Sequence, residues 1–449
     1  MPSIRFTLLL AVTSTLAFAA TAHAETAPAP PKVEVQAEED VYTFVPPNNG
    51  SGPLWSYGCT PITRLGDTVV VSQQETGKDV PLLTNTRWRL LRRESGAWKL
   101  WAEAEGYRQR EPAVVATLSK DALYLYVNDS QTPPGTKYGE CKPYLLRFTL
   151  ADKDTKGTPL YPKWDGPTTF TDHSYRGYSA DAAAKQLVMF NIDAKTSVQH
   201  WSLLNETGET LGNGTLTYPI RSCYSQVQLT KGACHVLAIS DIVEPVEEWK
   251  KYKFDQTKAT WDYVFRILYY TSTPDLRSKP FAAPIEVANV DKTAGHISNQ
   301  DLWVAPDGTA YILYTETETA SALMRDKFFP GKSLVPSMKL AVVKDGAVIS
   351  RKTLVEGSAE RVASHARFHL TPEGVLYALT FFSGKENYNA LLQIHPESAA
   401  EPIRVPFKTP FNSFCLATVR EGNSPSRTID VIGHQGKADT IAYGEIAIK

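Results

Sequence analysis

The sequence is poor in the features that mark nucleic-acid-binding, membrane-spanning and elongated proteins. Only 21% of its 449 residues are charged, and 47 Lys and Arg nearly balance 48 Asp and Glu. This balance provides no basic field for a nucleic-acid partner. Beyond the N-terminus, no segment approaches the roughly 18 consecutive apolar residues of a transmembrane helix, so no membrane insertion is predicted. A hydrophobic fraction of 42% instead indicates a globular chain, and excludes a disordered tail protein, a coiled coil and a collagen-like fibre.

Methionine and helical periodicity are also scarce. The chain has 4 Met, but 30 Pro, 21 Tyr, 17 Phe and 9 Trp. Aromatic residues favour strands and prolines favour turns, so this composition predicts β-structure. A single helical turn is predicted, at residues 246–252 (VEEWKKY), within a loop.

Five cysteines are present, and none forms a CxxC pair or a Cys/His spacing typical of zinc. We therefore predict neither a metal nor a cofactor, since a metal site would have to be assembled from histidines of separate repeats. Two disulfides are possible from the sequence. Cys223 and Cys234 flank a predicted turn, and Cys59 and Cys415 belong to the first and last repeats. Each pair is either a disulfide or two buried thiols.

The N-terminus has the pattern of an export signal. Arg5 precedes an apolar stretch at residues 6–20, and Ala22-His23-Ala24 forms an A-x-A cleavage site. We assign residues 1–24 to a signal peptide, which predicts a periplasmic or secreted protein. The Pro-, Ala- and Glu-rich residues 25–53 are predicted to form a flexible tether. Residues 54–449 then form one folded domain, which we expect to be a monomer.

A turn followed by an alternating apolar strand recurs along this domain. Such turns are hairpin signals, and they occur at residues 65–67, 119–121, 182–184, 231–232, 306–308, 372–374 and 421–422. Further strands follow each pair, which is typical of propeller blades. We predict an all-β fold, a seven-bladed β-propeller. Six blades is the alternative if the weak turn at 182–184 or at 421–422 does not mark a blade.

Two of the turns carry a resemblance to known propellers. Residues 305–311 (APDGTAY) and 371–377 (TPEGVLY) resemble degenerate Asp-box turns, which mark sialidase-like (BNR-repeat) propellers. True sialidases contain a Phe/Tyr-Arg-Ile-Pro segment. The nearest string in this sequence is Tyr218-Pro219-Ile220-Arg221, which has a different residue order and lies mid-chain. The overall pattern looks closer to ulvan-lyase-like and rhamnosidase-like propellers. This resemblance implies a carbohydrate-active enzyme, a polysaccharide lyase or glycoside hydrolase, acting on an acidic, uronate-containing polysaccharide or oligosaccharide.

Polar side chains recur where the first strand of each blade is expected to begin, which is where propellers commonly bind ligands. His changes protonation near neutral pH, Tyr can donate a proton, and the planar fork of Arg fits a carboxylate or sulfate. The catalytic candidates are His173 or His365 as base, and Tyr175 or Tyr224 as acid. The substrate-binding candidates, among which Arg367, Arg176 or Arg110 would take the sugar carboxylate, are Arg110, Glu111, Arg176, Gln226, His296, Asn299, Gln300 and Arg367.

These residue types favour a lyase over a glycosidase. A uronate lyase needs a base, an acid and a group that neutralises the sugar carboxylate, and His, Tyr and Arg supply all three. A glycosidase needs two carboxyl groups roughly 5–9.5 Å apart. Among the polar residues where the first strands are expected to begin, the acids are Glu111 and Asp301. They come from predicted blades that lie nearly opposite one another. Because no strict catalytic motif is present, the alternative is a non-catalytic periplasmic propeller that binds a glycan or a protein partner.

Overall fold

The structure, a computed structural model, describes residues 31–56, 58–151, 155–173, 175–259 and 263–449. The predicted signal peptide (1–24) and the first residues of the predicted tether lie outside these ranges. Within them, seven four-stranded antiparallel sheets follow one another. The first strands of consecutive blades contact each other around a closed circuit, from blade 7 back to blade 1. The predicted seven-bladed β-propeller is confirmed, and the six-bladed alternative is wrong.

The strands follow chain order in blades 1 to 6, whereas the first strand, β1 (Val33–Thr43), belongs to blade 7. Blade 1 contains β2 (Ile62–Leu65), β3 (Thr68–Thr76), β4 (Thr86–Glu94) and β5 (Ala97–Glu103). Blade 2 contains β6 (Val114–Ser119), β7 (Ala122–Ser130), β8 (Cys141–Thr149) and β9 (Thr158–Leu160). Blade 3 contains β10 (Gly177–Asp181), β11 (Gln186–Ile192), β12 (Gln199–Asn205) and β13 (Thr210–Leu216).

The later blades carry the helical insertions. Blade 4 contains β14 (Ser222–Thr230), β15 (Ala233–Ser240), the small hairpin β16 (Ile242–Val243) and β17 (Tyr263–Val264), β18 (Ile267–Thr273) and β19 (Ile285–Asn289). Blade 5 contains β20 (His296–Val304), β21 (Ala310–Thr317), β22 (Ser337–Lys344) and β23 (Ala347–Val355). Blade 6 contains β24 (Arg361–Leu370), β25 (Leu376–Gly384), β26 (Tyr388–His395) and β27 (Ile403–Val405). Blade 7 contains β28 (Ser413–Leu416), β29 (Thr428–His434) and β30 (Thr440–Ile448), completed by β1.

The ring is closed by β1, which is the outer strand of blade 7. It pairs antiparallel with β30, from Val33 opposite Ile448 to Thr43 opposite Thr440. The predicted flexible tether at residues 25–53 is therefore wrong over residues 33–43. Composition suggested disorder, but the apolar residues of this stretch, Val33 and Val35 among them, pack against the blade 7 core.

The core lies between adjacent blades, because each sheet packs both of its faces. In β7, Leu123 and Leu125 pack with residues of blade 1, whereas Tyr124 and Tyr126 pack with residues of blade 3. Successive side chains of a strand point to opposite faces. The unbroken apolar run of β7 therefore reflects burial on both sides of the sheet.

Two of the predicted turns share one geometry. In the turn at 305–309, Gly308 donates its N–H to the carbonyl of Ala305 at 2.9 Å, and in the turn at 371–375, Gly374 donates to Thr371 at 3.0 Å. Both glycines have φ of 82°, a left-handed conformation that glycine adopts readily. The Gly of these two motifs is therefore required by the turn itself.

The seventh predicted turn, at 421–422, lies inside a longer connection between β28 and β29. This connection runs where the first strands of several blades converge. The carbonyl of Arg420 accepts from the N–H of Ala180 at 2.9 Å, and that of Glu421 accepts from Thr117 at 2.8 Å. The side chain of Asn423 accepts from the N–H of Arg64 at 2.9 Å. This connection thus binds blades 2 and 3 through its backbone and blade 1 through the side chain of Asn423.

Two α-helices extend from the loops between second and third strands. The predicted helical turn at 246–252 is confirmed as part of α1 (Glu247–Thr257) in blade 4. The second helix, α2 (Ala322–Phe328) in blade 5, was not predicted, and a short 3-10 helix (Asp291–Thr293) precedes β20. Trp249 packs edge-on against Phe329 at 5.3 Å between ring centroids. This contact joins the two helical loops.

All five cysteines lie within the described ranges, where each is buried and unpaired. Neither of the two possible disulfides, Cys223 with Cys234 and Cys59 with Cys415, forms. No helix in the described part of the chain is long and apolar enough to cross a bilayer. Across the same residues, no group of three or more His, Cys, Asp or Glu is placed to hold a metal ion.

Candidate functional site

Two cavities open on the face of the propeller where the first strands begin. The first cavity has a volume of about 460 Å³ and is formed by blades 2, 3 and 4. Its polar side chains include Arg110 just before β6, His173 and Tyr175 just before β10, and Arg221 and Tyr224 at the start of blade 4. The structure thus brings together three of the four catalytic candidates.

His173 is held by a buried carboxylate. Its Nδ1 is hydrogen-bonded to Oε1 of Glu111, whose side chain is 6% exposed, whereas 20% of the His173 side chain is exposed. Oε2 of Glu111 lies 3.6 Å from Nη2 of the buried Arg176. A carboxylate bonded to Nδ1 fixes the ring orientation and leaves Nε2 as the nitrogen directed to chemistry. This is the arrangement of an oriented general base.

Two tyrosines lie beside this histidine. The ring of Tyr175 is centred 3.8 Å from that of His173, and Tyr224 packs edge-on against Tyr175 at 5.1 Å. Both tyrosines have positive φ, 44° and 54°, which is uncommon for a residue with a side chain. Backbone of this kind clusters at functional sites.

The position of Tyr224 follows from an irregularity in β14. The pairing of β14 with β15 shifts register between Cys223 and Gln226, which places Tyr224 in a β-bulge. Bulges redirect side chains and are common beside active sites. Comparable register shifts occur in β20 between Asn299 and Asp301, and in β24 after Ala363. The first strands of blades 4, 5 and 6 thus share a local distortion near the same end.

Arg221 lies behind Tyr175 and is anchored to blade 4. Its Nη1 forms an ion pair with Oδ2 of Asp241 at 2.7 Å and donates to the carbonyl of the same residue at 2.6 Å. The guanidinium lies 4.9 Å from the centre of the Tyr175 ring. Burial raises the pKa of Tyr175, although a hydrogen bond from Arg221 acts in the opposite direction. Tyr175 therefore keeps its proton at neutral pH.

Arg110 supplies a second cation from blade 2. Its Nε donates to the carbonyl of Asn49 at 2.9 Å, and its Nη1 lies 3.4 Å from Oδ2 of Asp172. Burial raises the pKa of Asp172, with the charge of Arg110 acting in the opposite direction. Arg110 is thus held in place by the backbone of Asn49 and by the carboxylate of Asp172.

The remaining wall of the first cavity is aromatic. Trp55, Tyr138, Tyr263 and Phe265 all line it. The ring of Trp55 is centred 6.2 Å from that of His173. Aromatic faces of this kind stack on sugar rings.

The second cavity has a volume of about 320 Å³ and is formed by blades 5, 6 and 7 with residues 52–55. His365 and Arg367 of β24 line it, together with Asn299 and Gln300 of β20. Trp55 lines both cavities. The fourth catalytic candidate, His365, therefore lies in a different cavity from the other three.

The environment of His365 differs from that of His173. Its Nε2 lies 2.7 Å from the carbonyl oxygen of Phe414 in blade 7 and 3.2 Å from the N–H of the same residue. Burial, with the neighbouring charge of Arg367, lowers the pKa of His365 to about 3. This histidine joins blade 6 to blade 7 and stays neutral across the physiological range.

Several predicted substrate contacts are corrected by their burial. Glu111, Arg176 and Gln226 are 6%, 4% and 1% exposed, and none of the three lines either cavity. Glu111 and Arg176 lie behind His173, and Gln226 donates to the carbonyl of Gln300 at 2.9 Å. His296 packs edge-on against Phe265 at 5.9 Å and likewise lies outside both cavities. Their position near the start of a first strand was predicted from the repeat, but the direction of each side chain depends on contacts with neighbouring blades, and for Gln226 also on the bulge in β14.

Arg221 and Trp55 are two of the cavity residues that were not among the candidates from the sequence. Arg221 lies three residues before Tyr224, the first candidate in blade 4, and Trp55 precedes the first blade. The sequence does contain a pattern that points to Arg221, because it is the arginine of Tyr218-Pro219-Ile220-Arg221, the string nearest to the sialidase segment. Trp55 carries no comparable signal.

Comparison with known proteins supports the architecture. Neither the protein-family models nor the curated proteins give a match. Among solved structures, an ulvan lyase of polysaccharide lyase family PL25, bound to -[GlcA(1-4)Rha3S]-, has a TM-score of 0.57 at 10% identity, covering 91% of this chain and 94% of that chain. An α-L-arabinanase of Penicillium chrysogenum, complexed with arabinobiose, has a TM-score of 0.43 at 10% identity, covering 92% and 98%. The predicted resemblance to ulvan-lyase-like propellers is confirmed at the level of the fold.

Proposed function

We propose that this protein cleaves an acidic, uronate-containing polysaccharide by β-elimination in the first cavity. The observation that carries the proposal is the pairing of His173 with the buried Glu111, beside a proton-bearing Tyr175 and the cation Arg110. These are the base, the acid and the neutralising group that β-elimination requires.

Each group has a defined part in the reaction. Nε2 of His173 removes the proton from C5 of the uronate, and the electrons of that C–H bond form the C4=C5 double bond. The C4–O4 bond breaks, and the hydroxyl of Tyr175 gives its proton to the departing oxygen. Arg110 binds the sugar carboxylate, which draws negative charge away from C5 as the proton leaves. Glu111 orients His173 and stabilises its protonated form.

The carboxylates of the first cavity do not suit hydrolysis. Asp241 is paired with Arg221. Asp193 accepts hydrogen bonds from the N–H groups of Thr169, Lys195 and Thr196, and these bonds lower its pKa. A glycosidase would need one carboxyl group that holds a proton and a second that is free to act as base or nucleophile. Among the described residues of this cavity, His173 and Tyr175 are better placed for proton transfer.

The surroundings of the cavity support a carbohydrate substrate. Its walls carry Trp55, Tyr138 and Tyr263, which offer stacking surfaces for sugar rings. The PL25 ulvan lyase uses a propeller of the same architecture to bind an acidic disaccharide repeat. The export pattern at residues 1–24 further supports action in the periplasm or outside the cell.

The proposal is tested by incubating the protein with a panel of polysaccharides. The panel contains ulvan, alginate, polygalacturonate and chondroitin sulfate, with neutral arabinan as a control. A lyase produces one unsaturated sugar, measured by its ultraviolet absorbance, for each new reducing end. Reducing ends without this absorbance would identify a hydrolase and overturn the mechanism. Binding without any new ends would identify the non-catalytic alternative.

A further inference from the structure

The second cavity carries a cation and no carboxylate. Arg367 and the two histidines His365 and His434 line it, and none of its lining residues is Asp or Glu. Burial lowers the pKa of His434 as well as that of His365, so both histidines are neutral near pH 7. The lining of the second cavity therefore carries one net positive charge, that of Arg367.

Arg367 is half-buried and is held through one nitrogen. Its Nη1 donates to the carbonyls of Gln300 at 2.6 Å and of Ala366 at 3.0 Å. Among the described residues, no carboxylate lies within ion-pair distance of its guanidinium, whereas Arg110 and Arg221 of the first cavity each have one. Burying a charge without a partner is costly. An anion in the second cavity would offset that cost and could use the remaining donors of the guanidinium fork.

The two cavities adjoin one another at Trp55, the residue that their linings share. The indole of Trp55 forms part of both linings. Asn299, which lines the second cavity, donates from Nδ2 to the backbone carbonyl of Tyr224 in the first at 3.0 Å. A glycan chain that is bound in the first cavity and extends past Trp55 would enter the second cavity, where Arg367 lies.

We propose that the second cavity binds an anionic substituent, a sulfate ester or a second uronate carboxylate, on the same glycan chain that is cleaved in the first cavity. Arg367 is its specificity-determining residue, and Trp55 supports the sugar between the two anionic groups. This inference rests on the proposed function for its substrate, but it predicts binding that can be measured without turnover.

The test measures binding to His173→Ala protein, so that no substrate is consumed. Ulvan and chondroitin sulfate oligosaccharides, from disaccharides to octasaccharides, are titrated calorimetrically against His173→Ala and against His173→Ala combined with Arg367→Gln. We expect Arg367→Gln to weaken binding of the longer oligosaccharides by about 10- to 100-fold, as for loss of a charge-assisted hydrogen bond. Disaccharides that occupy the first cavity alone should bind both proteins equally. Chemically desulfated and carboxyl-reduced oligosaccharides then distinguish the two anions.

Two controls separate this site from a folding defect. Arg404→Gln removes an exposed arginine from β27 of the same blade and should leave every affinity unchanged. Arg367→Lys keeps the charge but loses the fork, and should recover part of the lost affinity. Equal affinities of the Arg367→Gln and parent proteins along the whole length series would overturn the site, even if turnover is found. A length-dependent loss without any turnover in the wild type would support the site and contradict the lyase.

Discussion

The carboxylate of Glu111 is bonded to Nδ1 of His173, although the two residues are 62 positions apart and precede the first strands of different blades. The carboxylate is buried and the imidazole lines the first cavity. This contact distinguishes His173 from His365, whose ring is bonded to the backbone of Phe414. It also makes Glu111 a positioning residue, with no contact to substrate.

Replacing Glu111 should therefore act through His173. We expect Glu111→Gln to lower kcat by about 10- to 100-fold with KM nearly unchanged, because the amide no longer stabilises the protonated imidazole. Steady-state kinetics on the uronate substrate measure this effect. The double variant with His173→Ala should be no slower than His173→Ala alone. Additive losses would show that Glu111 acts independently of the histidine.

The two tyrosines should respond differently to loss of their hydroxyl groups. Tyr175→Phe removes the proposed proton donor, so kcat should fall by about 10²- to 10⁴-fold. Tyr224→Phe keeps the ring that packs against Tyr175 and should change kcat by only a few fold. The pair is a matched comparison, since both side chains line the same cavity. A larger loss in Tyr224→Phe would transfer the role of acid to Tyr224.

Arg110 should determine the response to the substrate carboxylate. The wild type should cleave a uronate polymer much faster than its methyl ester if charge is what Arg110 recognises. In Arg110→Gln we expect kcat/KM for the free acid to fall by about 10- to 100-fold, towards the value for the ester. Rates on both polymers, measured side by side, give this ratio. An unchanged preference for the free acid would assign recognition to another cation.

Glu421 should make the stability of the propeller depend on pH. It is fully buried beside Arg420 at 3.6 Å, with Asp301 paired to the same arginine at 3.0 Å. Burial raises the pKa of Glu421 to about 7 from its ordinary 4.5. The folded protein thus holds this proton more tightly than the unfolded chain, so the contribution to stability falls as pH rises from 4.5 to 7.

Glu421→Gln should therefore stabilise the protein at pH 8, by about 3 kcal/mol, and have a smaller effect at pH 5. Urea unfolding at the two pH values measures the difference. The exposed Glu401→Gln is the control and should change neither value. Equal effects of Glu421→Gln at pH 5 and pH 8 would show that the carboxyl group does not titrate in this range.

The repeat of turns and strands was enough to predict the propeller and the face that carries the cavities. It placed His173, Tyr175 and Arg110 near one another, because first strands of neighbouring blades begin side by side. It could not predict that Glu111 turns inward to His173, since this depends on packing between blades 2 and 3.

Other parts of the structure could not be predicted from any short stretch of the sequence. The bulge that displaces Tyr224 is defined by pairing with β15, and pairing is a property of two strands. The strand at residues 33–43 has polar and acidic residues on one face because it is the outer edge of blade 7. Its composition therefore resembles that of a tether until its partner is known.

Activities of His173→Ala and His365→Ala, measured side by side, show which of the two histidines acts as the base. Both variants are assayed for the unsaturated product on the polysaccharide that the wild type cleaves, with unfolding measured alongside. The account predicts that His173→Ala loses activity by about 10²-fold or more and remains folded. It predicts that His365→Ala keeps its activity within a few fold but is less stable, because the bond to Phe414 in blade 7 is lost. Full activity in folded His173→Ala would contradict the account.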